Sequence, residues 1–256
     1  MHRKIILLTW VSLLMLSTMV VTLVVAQPRI VGVAVDDWFK LGDITVNWSS
    51  TDPNATFPPP GWEYLEEMNQ TEWILFSVEG ILGTNITFQA TEHFKNDTDR
   101  IRSGWIDIDT GDSSEDTNET RYMTGMVISA NLDVNDTVYT SVGYLTWKIN
   151  ETIVRAYLDE VRYTNHLNMT MESSMDNVST CSSMNLYWDK PTGIINEYFT
   201  EVTINQTGEY LTTWSLLARI TESSVWVVPE FPLFLILPLF MIATLLAVIV
   251  YRRQKN

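Results

Sequence analysis

Ile44-Thr45-Val46-Asn47-Trp48-Ser49 alternates apolar and polar side chains at every step. In an extended chain this sets Ile44, Val46 and Trp48 on one face and Asn47 and Ser49 on the other, the pattern of a strand packed on one side and wet on the other. The split recurs outward along the chain. Asn85 and Thr87 oppose Ile86 and Phe88, Asn168 and Thr170 oppose Leu167, Met169 and Met171, and Asn205 opposes Val202 and Ile204. Between residues 28 and 230 there are 26 Thr against 6 Ala, a balance that favours strands over helices.

Strands are expected near 30–35, 43–49, 72–80, 84–93, 103–109, 122–131, 136–149, 151–158, 161–173, 182–189, 194–205 and 209–221. Turn residues punctuate them at Leu82-Gly83-Thr84-Asn85, Asp159-Glu160, Asp189 to Gly193 and Gln206-Thr207-Gly208. Short connections between successive strands imply an antiparallel arrangement. The expected fold class is therefore mainly β: a single antiparallel meander forming a curved sheet or half-barrel, with one short helix and terminal membrane helices. The helix follows Pro58-Pro59-Pro60-Gly61. Trp62, Leu65 and Met68 fall at helical spacing, with Glu63, Glu66 and Glu67 directed outward.

Asparagine usage carries a second signal. Eleven Asn-x-Ser/Thr acceptor tripeptides occur, at Asn47, Asn54, Asn69, Asn85, Asn96, Asn118, Asn135, Asn150, Asn168, Asn177 and Asn205, among 16 asparagines in all. With 48 Ser and Thr in 256 residues, chance gives about three such sites. Several sit on the polar faces of the expected strands, where a glycan has room. All eleven lie between two apolar terminal runs.

The N-terminal run, Ile5 to Val25, follows the basic cap Met1-His2-Arg3-Lys4 and ends in Val24-Val25-Ala26. It reads as a signal peptide over 1–26, with cleavage between Ala26 and Gln27, or as a retained anchor. Residues 27–225 then form the β-rich domain. Residues 226–251 hold Pro229-Glu230-Phe231-Pro232 and an apolar stretch, and 252–256 form a basic tail with Arg252 and Arg253. Phe231 to Val250 is 20 residues, which as a helix covers about 30 Å, the thickness of a bilayer core. The arginines would remain on the cytoplasmic side.

This C-terminal order of motif, span and basic cluster resembles the archaeal PEF-CTERM sorting signals. The resemblance implies a cell-surface protein that meets a signal peptidase and an archaeosortase, with the helix either replaced by another anchor or kept as a plain single-pass span. The segment Tyr187-Trp188-Asp189-Lys190-Pro191-Thr192-Gly193-Ile194 resembles a hairpin in the half-barrel sheets of lipoprotein carriers such as the LolA and LppX group. The domain also resembles secreted archaeal proteins of unknown function that combine such a sheet with this anchor.

Charge and chemistry narrow the function further. All 31 acids and 11 of the 16 Lys and Arg lie between 28 and 230, so the middle is strongly acidic and repels nucleic acid. The one cysteine, Cys181, rules out an internal disulfide and sits in a polar stretch, as a half-buried or loop thiol. His93 and His166 have no His or Cys at ligand spacing. Asp107, Asp109 and Asp112, followed by Glu115 and Asp116, read as a solvated hairpin tip or a weak cation site. Nine tryptophans outside the leader are expected in the core or lining a cavity. With no catalytic motif present, the expectation is a membrane-anchored, non-enzymatic surface glycoprotein needing no cofactor or metal. The alternatives are a carrier of a lipid or other apolar ligand, a glycan-binding surface and a glycan-acting enzyme.

Overall fold

The computed structural model describes residues 28–114, 124–141, 143, 146–175, 177–206 and 208–226. The alternating stretches become nine strands: β1 (Trp38–Ser50), β2 (Thr71–Leu82), β3 (Asn85–Phe94), β4 (Asp99–Asp107), β5 (Glu151–Tyr157), β6 (Glu160–Met175), β7 (Val178–Asp189), β8 (Ile195–Gln206) and β9 (Tyr210–Ser223). One short helix, α1 (Tyr64–Gln70), precedes β2. Every pairing is antiparallel, and the strands form one open sheet in the order β4-β3-β2-β1-β9-β8-β7-β6-β5.

That order corrects the expectation of a single meander. The chain builds outward from β1 to the edge strand β4, crosses to the opposite edge at β5, and then builds back until β9 pairs with β1. The central β1–β9 pair thus joins segments far apart in sequence, Trp48 lying opposite Trp214. Local alternation announces each strand but carries no information about which distant strand closes the sheet.

The strand expected at 30–35, and the described parts of those at 122–131 and 136–149, are absent. Isolated bridges remain at Val127 to Ile194 and Thr137 to Lys148. The cause is where the backbone bonds go. Ile128 N donates to Gly193 O, Ala130 N to Ile30 O and Asn131 N to Lys190 O. Gly193 and Lys190 both belong to the turn between β7 and β8, so the path alternates between that turn and the N-terminal segment and satisfies buried amides without forming a ladder. Residues 125–130 are buried, and Met126, Val127 and Ile128 join the hydrophobic cluster formed by the strands. Tyr139 and Trp188 pin this crossover: the Tyr139 hydroxyl donates to Val127 O at 3.2 Å, and Trp188 Nε1 donates to Gly125 O at 2.7 Å.

A single hydrophobic cluster joins both halves of the sheet. It includes Phe39, Phe76 and Phe88 from the first run, Leu186, Trp188 and Trp214 from the second, and Val127, Ile128, Val138 and Ile149 from the crossover. Each fully buried large side chain contributes about 2–3 kcal/mol by removal of apolar surface from water.

Helix α1 begins two residues later than the spacing of Trp62 implies. Leu65 and Met68 are buried as expected, while Trp62 lies just before the helix with its ring 4.6 Å from that of Trp214. Glu67 does not face outward. It accepts from Arg100 and lies 3.5 Å from Arg102, and both arginines also hold the buried Glu92. The network ties α1 to β3 and β4.

Candidate functional site

In an antiparallel sheet all strands share two ends. Here the near end is where β9 finishes and β5 turns into β6; the far end is where β1 finishes and β6 turns into β7. The acceptor asparagines are unevenly divided between them. Toward the far end lie Asn47 near the end of β1, Asn54 in the loop after it, Asn177 in the β6–β7 turn and Asn205 at the end of β8, whereas Asn69 at the end of α1 and Asn96 in the β3–β4 turn adjoin the Thr71–Phe94 pair, which is level with the middle of β1. Asn150 and Asn168 are midway and Asn135 is in the crossover. Asn85, in the β2–β3 turn, is at the near end.

No described acceptor asparagine is buried, while the other described asparagines range from buried to exposed, Asn131 being exposed and Asn185 half-buried. Asn47, Asn54, Asn96, Asn135, Asn150, Asn168, Asn177 and Asn205 are exposed, and Asn69 and Asn85 half-buried. Asn165 and Asn196 are buried, and neither belongs to an acceptor tripeptide. Asn118 lies outside the described residues. So do Ala26 and Gln27, Pro229, Glu230, Phe231 and Pro232, and Arg252 and Arg253. Both terminal apolar runs share that status; among the described residues no helix is long and apolar enough to cross a membrane.

The far end also holds a cleft of about 450 Å³ between the loop after β1 and the ends of β7, β8 and β9. Pro59, Pro60 and Trp62 form one wall and Val178, Ile204 and Thr212 the other, with Asn54 on the rim. Next to it, Met169, Met171 and Met175 follow one face of β6 at alternate positions, Met171 and Met175 being exposed. The sequence reading missed this cleft. Its signal was the proline run before Trp62, read there only as a lead into the helix.

A third feature is a polar row across the second half of the sheet. Glu151, His166, Tyr187, Glu197 and Arg219 are successive register partners from β5 to β9. His166 stacks on Tyr187 with centroids 4.2 Å apart, and its Nδ1 lies 2.9 Å from Glu151 Oε1. The buried Glu197 accepts from Arg155 at 3.1 Å and Arg219 at 2.9 Å, while the Arg155 guanidinium lies 4.1 Å over Tyr187. These groups satisfy one another, which suits strand cohesion more than chemistry on a substrate. Burial, with the Glu197 charge adding to it, pushes the nearby Tyr157 phenol far up. Trp226, the last described residue, is buried beside this row. Its ring lies 6.3 Å from Tyr157 and 5.1 Å from the Arg162 guanidinium.

The remaining candidates are placed as follows. His93 stacks on Trp73 at 4.7 Å and meets Asp99 at 2.6 Å. Asp107 Oδ1 caps its own turn by accepting from Asp109 N, and Asp109 pairs with Arg29 at 3.2 Å; Glu115 and Asp116 lie outside the described residues. Among the described residues no group of three His, Cys, Asp or Glu is arranged to hold a metal ion. Cys181 is exposed on β7, more open than its sequence context implied. Trp188, Trp214 and Trp226 are buried, as expected of core tryptophans, whereas Trp105 is exposed. The Tyr187 to Ile194 segment forms the β7–β8 turn: Asp189 Oδ2 accepts from Thr192 N and Oγ1, and Arg162 forks the same carboxylate. No protein-family model and no curated protein matches the chain.

Proposed function

We propose that the chain is a membrane-anchored cell-surface glycoprotein whose β domain does structural or binding work outside the cell and catalyses no reaction. The observation that carries this reading is the accessibility of the acceptor asparagines. Every described acceptor is exposed or half-buried, and both fully buried asparagines lie outside acceptor tripeptides. A glycan requires a solvent-facing amide, and polar filler on strands has no reason to respect the tripeptide. The anchor is the span Phe231 to Val250, with the Pro229 to Pro232 motif as the sorting signal and the leader removed after Ala26. The sharing of one core by both sheet halves and the crossover supports a half-barrel form of the sheet.

The test is intact mass and glycopeptide mapping of the chain purified from its native membrane. The expected result is a mass above the polypeptide by several glycans, with modified peptides at exposed acceptors. A bare polypeptide mass would overturn the reading.

A second reading is favoured by the far-end cleft and its methionines. An apolar ligand, a lipid acyl chain among them, suits a cleft with Trp62, Val178 and Ile204 in its walls, and flexible thioethers adapt to varied ligands. Native mass spectrometry of the gently extracted chain tests it: a bound lipid supports the carrier, and an empty chain removes it.

A further inference from the structure

We propose that the β5–β6 hairpin is a membrane-contact surface, with its turn and outer flank, Leu158, Val161 and Tyr163, resting in the headgroup layer of the bilayer. The proposal rests on the anchor reading given above and adds to it which part of the domain meets the lipid.

Four observations point to the same end of the sheet. The first is tether length. Trp226 is held at the near end, against Tyr157 and Arg162, and Phe231 opens the apolar span only five steps later. Five steps of fully extended chain reach at most about 18 Å, so an inserted span holds the hairpin close to the membrane surface.

The second is exposed apolar surface. Val161 is 74% exposed, Tyr163 66% and Val154 58%. Val154 pairs with Tyr163 and Ala156 with Val161, which sets all four on one face of the edge hairpin. Isolated exposed apolar residues are ordinary; a contiguous patch on an outer strand is a contact surface in search of a partner. The exposed Tyr163 suits the interface, where an apolar ring body and a polar tip are both accommodated.

The third is the turn itself. Leu158 and Asp159 both have positive φ, +51° and +63°, in a two-residue connection. Such positions favour Asn, Asp or Gly. A leucine there accepts local strain and presents an apolar side chain at the tip, the kind of outlier that calls for a functional reason.

The fourth is the glycan map. Four of the ten described acceptors, Asn47, Asn54, Asn177 and Asn205, lie toward the far end and one, the half-buried Asn85, at the near end. Bulky hydrophilic modification is thus concentrated away from the end where the chain leaves for the membrane.

The experiment uses the full chain with Cys181→Ser, carrying one new thiol at Val161→Cys or Tyr163→Cys, or at the exposed Glu209→Cys in the β8–β9 turn as the far-end control. Each is labelled with a fluorophore and reconstituted into phosphatidylcholine vesicles containing a quencher-bearing lipid. Several-fold stronger quenching at 161 and 163 than at 209 is expected. If the chain fails to float with the vesicles, the anchor reading falls and the contact with it. If it floats and the three positions quench equally, the contact alone is overturned. Disulfide cross-linking between copies through Cys at 161 would assign the patch to a second copy and likewise overturn it.

Discussion

Gly193 stands so close to Ile128 that a Cβ built on it would lie 2.1 Å from the Ile128 carbonyl oxygen, and its φ is +75°. The contact is reciprocal, since Ile128 N donates to Gly193 O at 2.9 Å. The β7–β8 turn is therefore the seat on which the crossover rests. Gly193→Ala meets both a forbidden contact and a left-handed backbone, and the atoms it would strike are main chain that cannot swing aside. The expected loss is about 3 kcal/mol, read as a lowered urea midpoint of the full chain in detergent. Gly208→Ala, also at positive φ but in open space, is the control and costs less.

Glu92 supplies a pH signature. Burial pushes its carboxyl above the ordinary glutamate value of 4.5, and the hydrogen bond from Arg100 and the charges of Arg100 and Arg102 only partly oppose that. A carboxyl with a raised folded pKa binds its proton more tightly in the folded chain. Its contribution is thus most favourable below about pH 4.5 and declines as pH rises toward the folded value. The stability difference between wild type and Glu92→Gln should fall over that interval and then level. Urea midpoints of both proteins across a pH series would reveal it; a difference that grows with pH would contradict the burial argument.

The same residues show what could be read from the sequence and what could not. Strands such as β1, β3 and β9 follow from period-two alternation, and α1 from the spacing of Leu65 and Met68, because these are local rules. The pairing of Trp48 with Trp214 and the irregular path of 124–141 depend on contacts between segments far apart in the chain. Met126 to Ala130 resembles a buried strand in composition, yet its amides bond to separate partners. Acceptor asparagines were legible as a motif. Their scarcity at the near end, the cleft beside Trp62 and the seat of Trp226 required the sheet order.

Asn196 is an inefficiency in the core. It is wholly buried on β8, and neither its amide nitrogen nor its oxygen has a hydrogen-bond partner among the described residues. A buried amide without partners loses its water bonds and gains nothing in return. Asn196→Leu, of similar size, should therefore raise stability by about 1–2 kcal/mol. The measurement is again the urea midpoint. A large loss would mean that the amide serves a group bound there in the native protein.

Asn69 should be the acceptor that stays bare. It is half-buried at the end of α1, and the threonine that completes its tripeptide, Thr71, is fully buried with its hydroxyl donating to Glu67 O at 2.9 Å. Its carbonyl is also held by Lys95 Nζ at 2.6 Å. Glycan transfer needs both the amide and the hydroxyl of the tripeptide, so a folded α1 closes this site. At Asn54 and Asn96 the residue two positions on, Thr56 and Thr98, is exposed, and at Asn177 so is Ser179. Glycopeptide mapping of the native chain should find Asn54, Asn96 and Asn177 modified and Asn69 unmodified, and Asn69→Gln should leave the glycan mass unchanged. Full occupancy at Asn69 would instead require transfer to a chain in which α1 has not yet closed over Thr71.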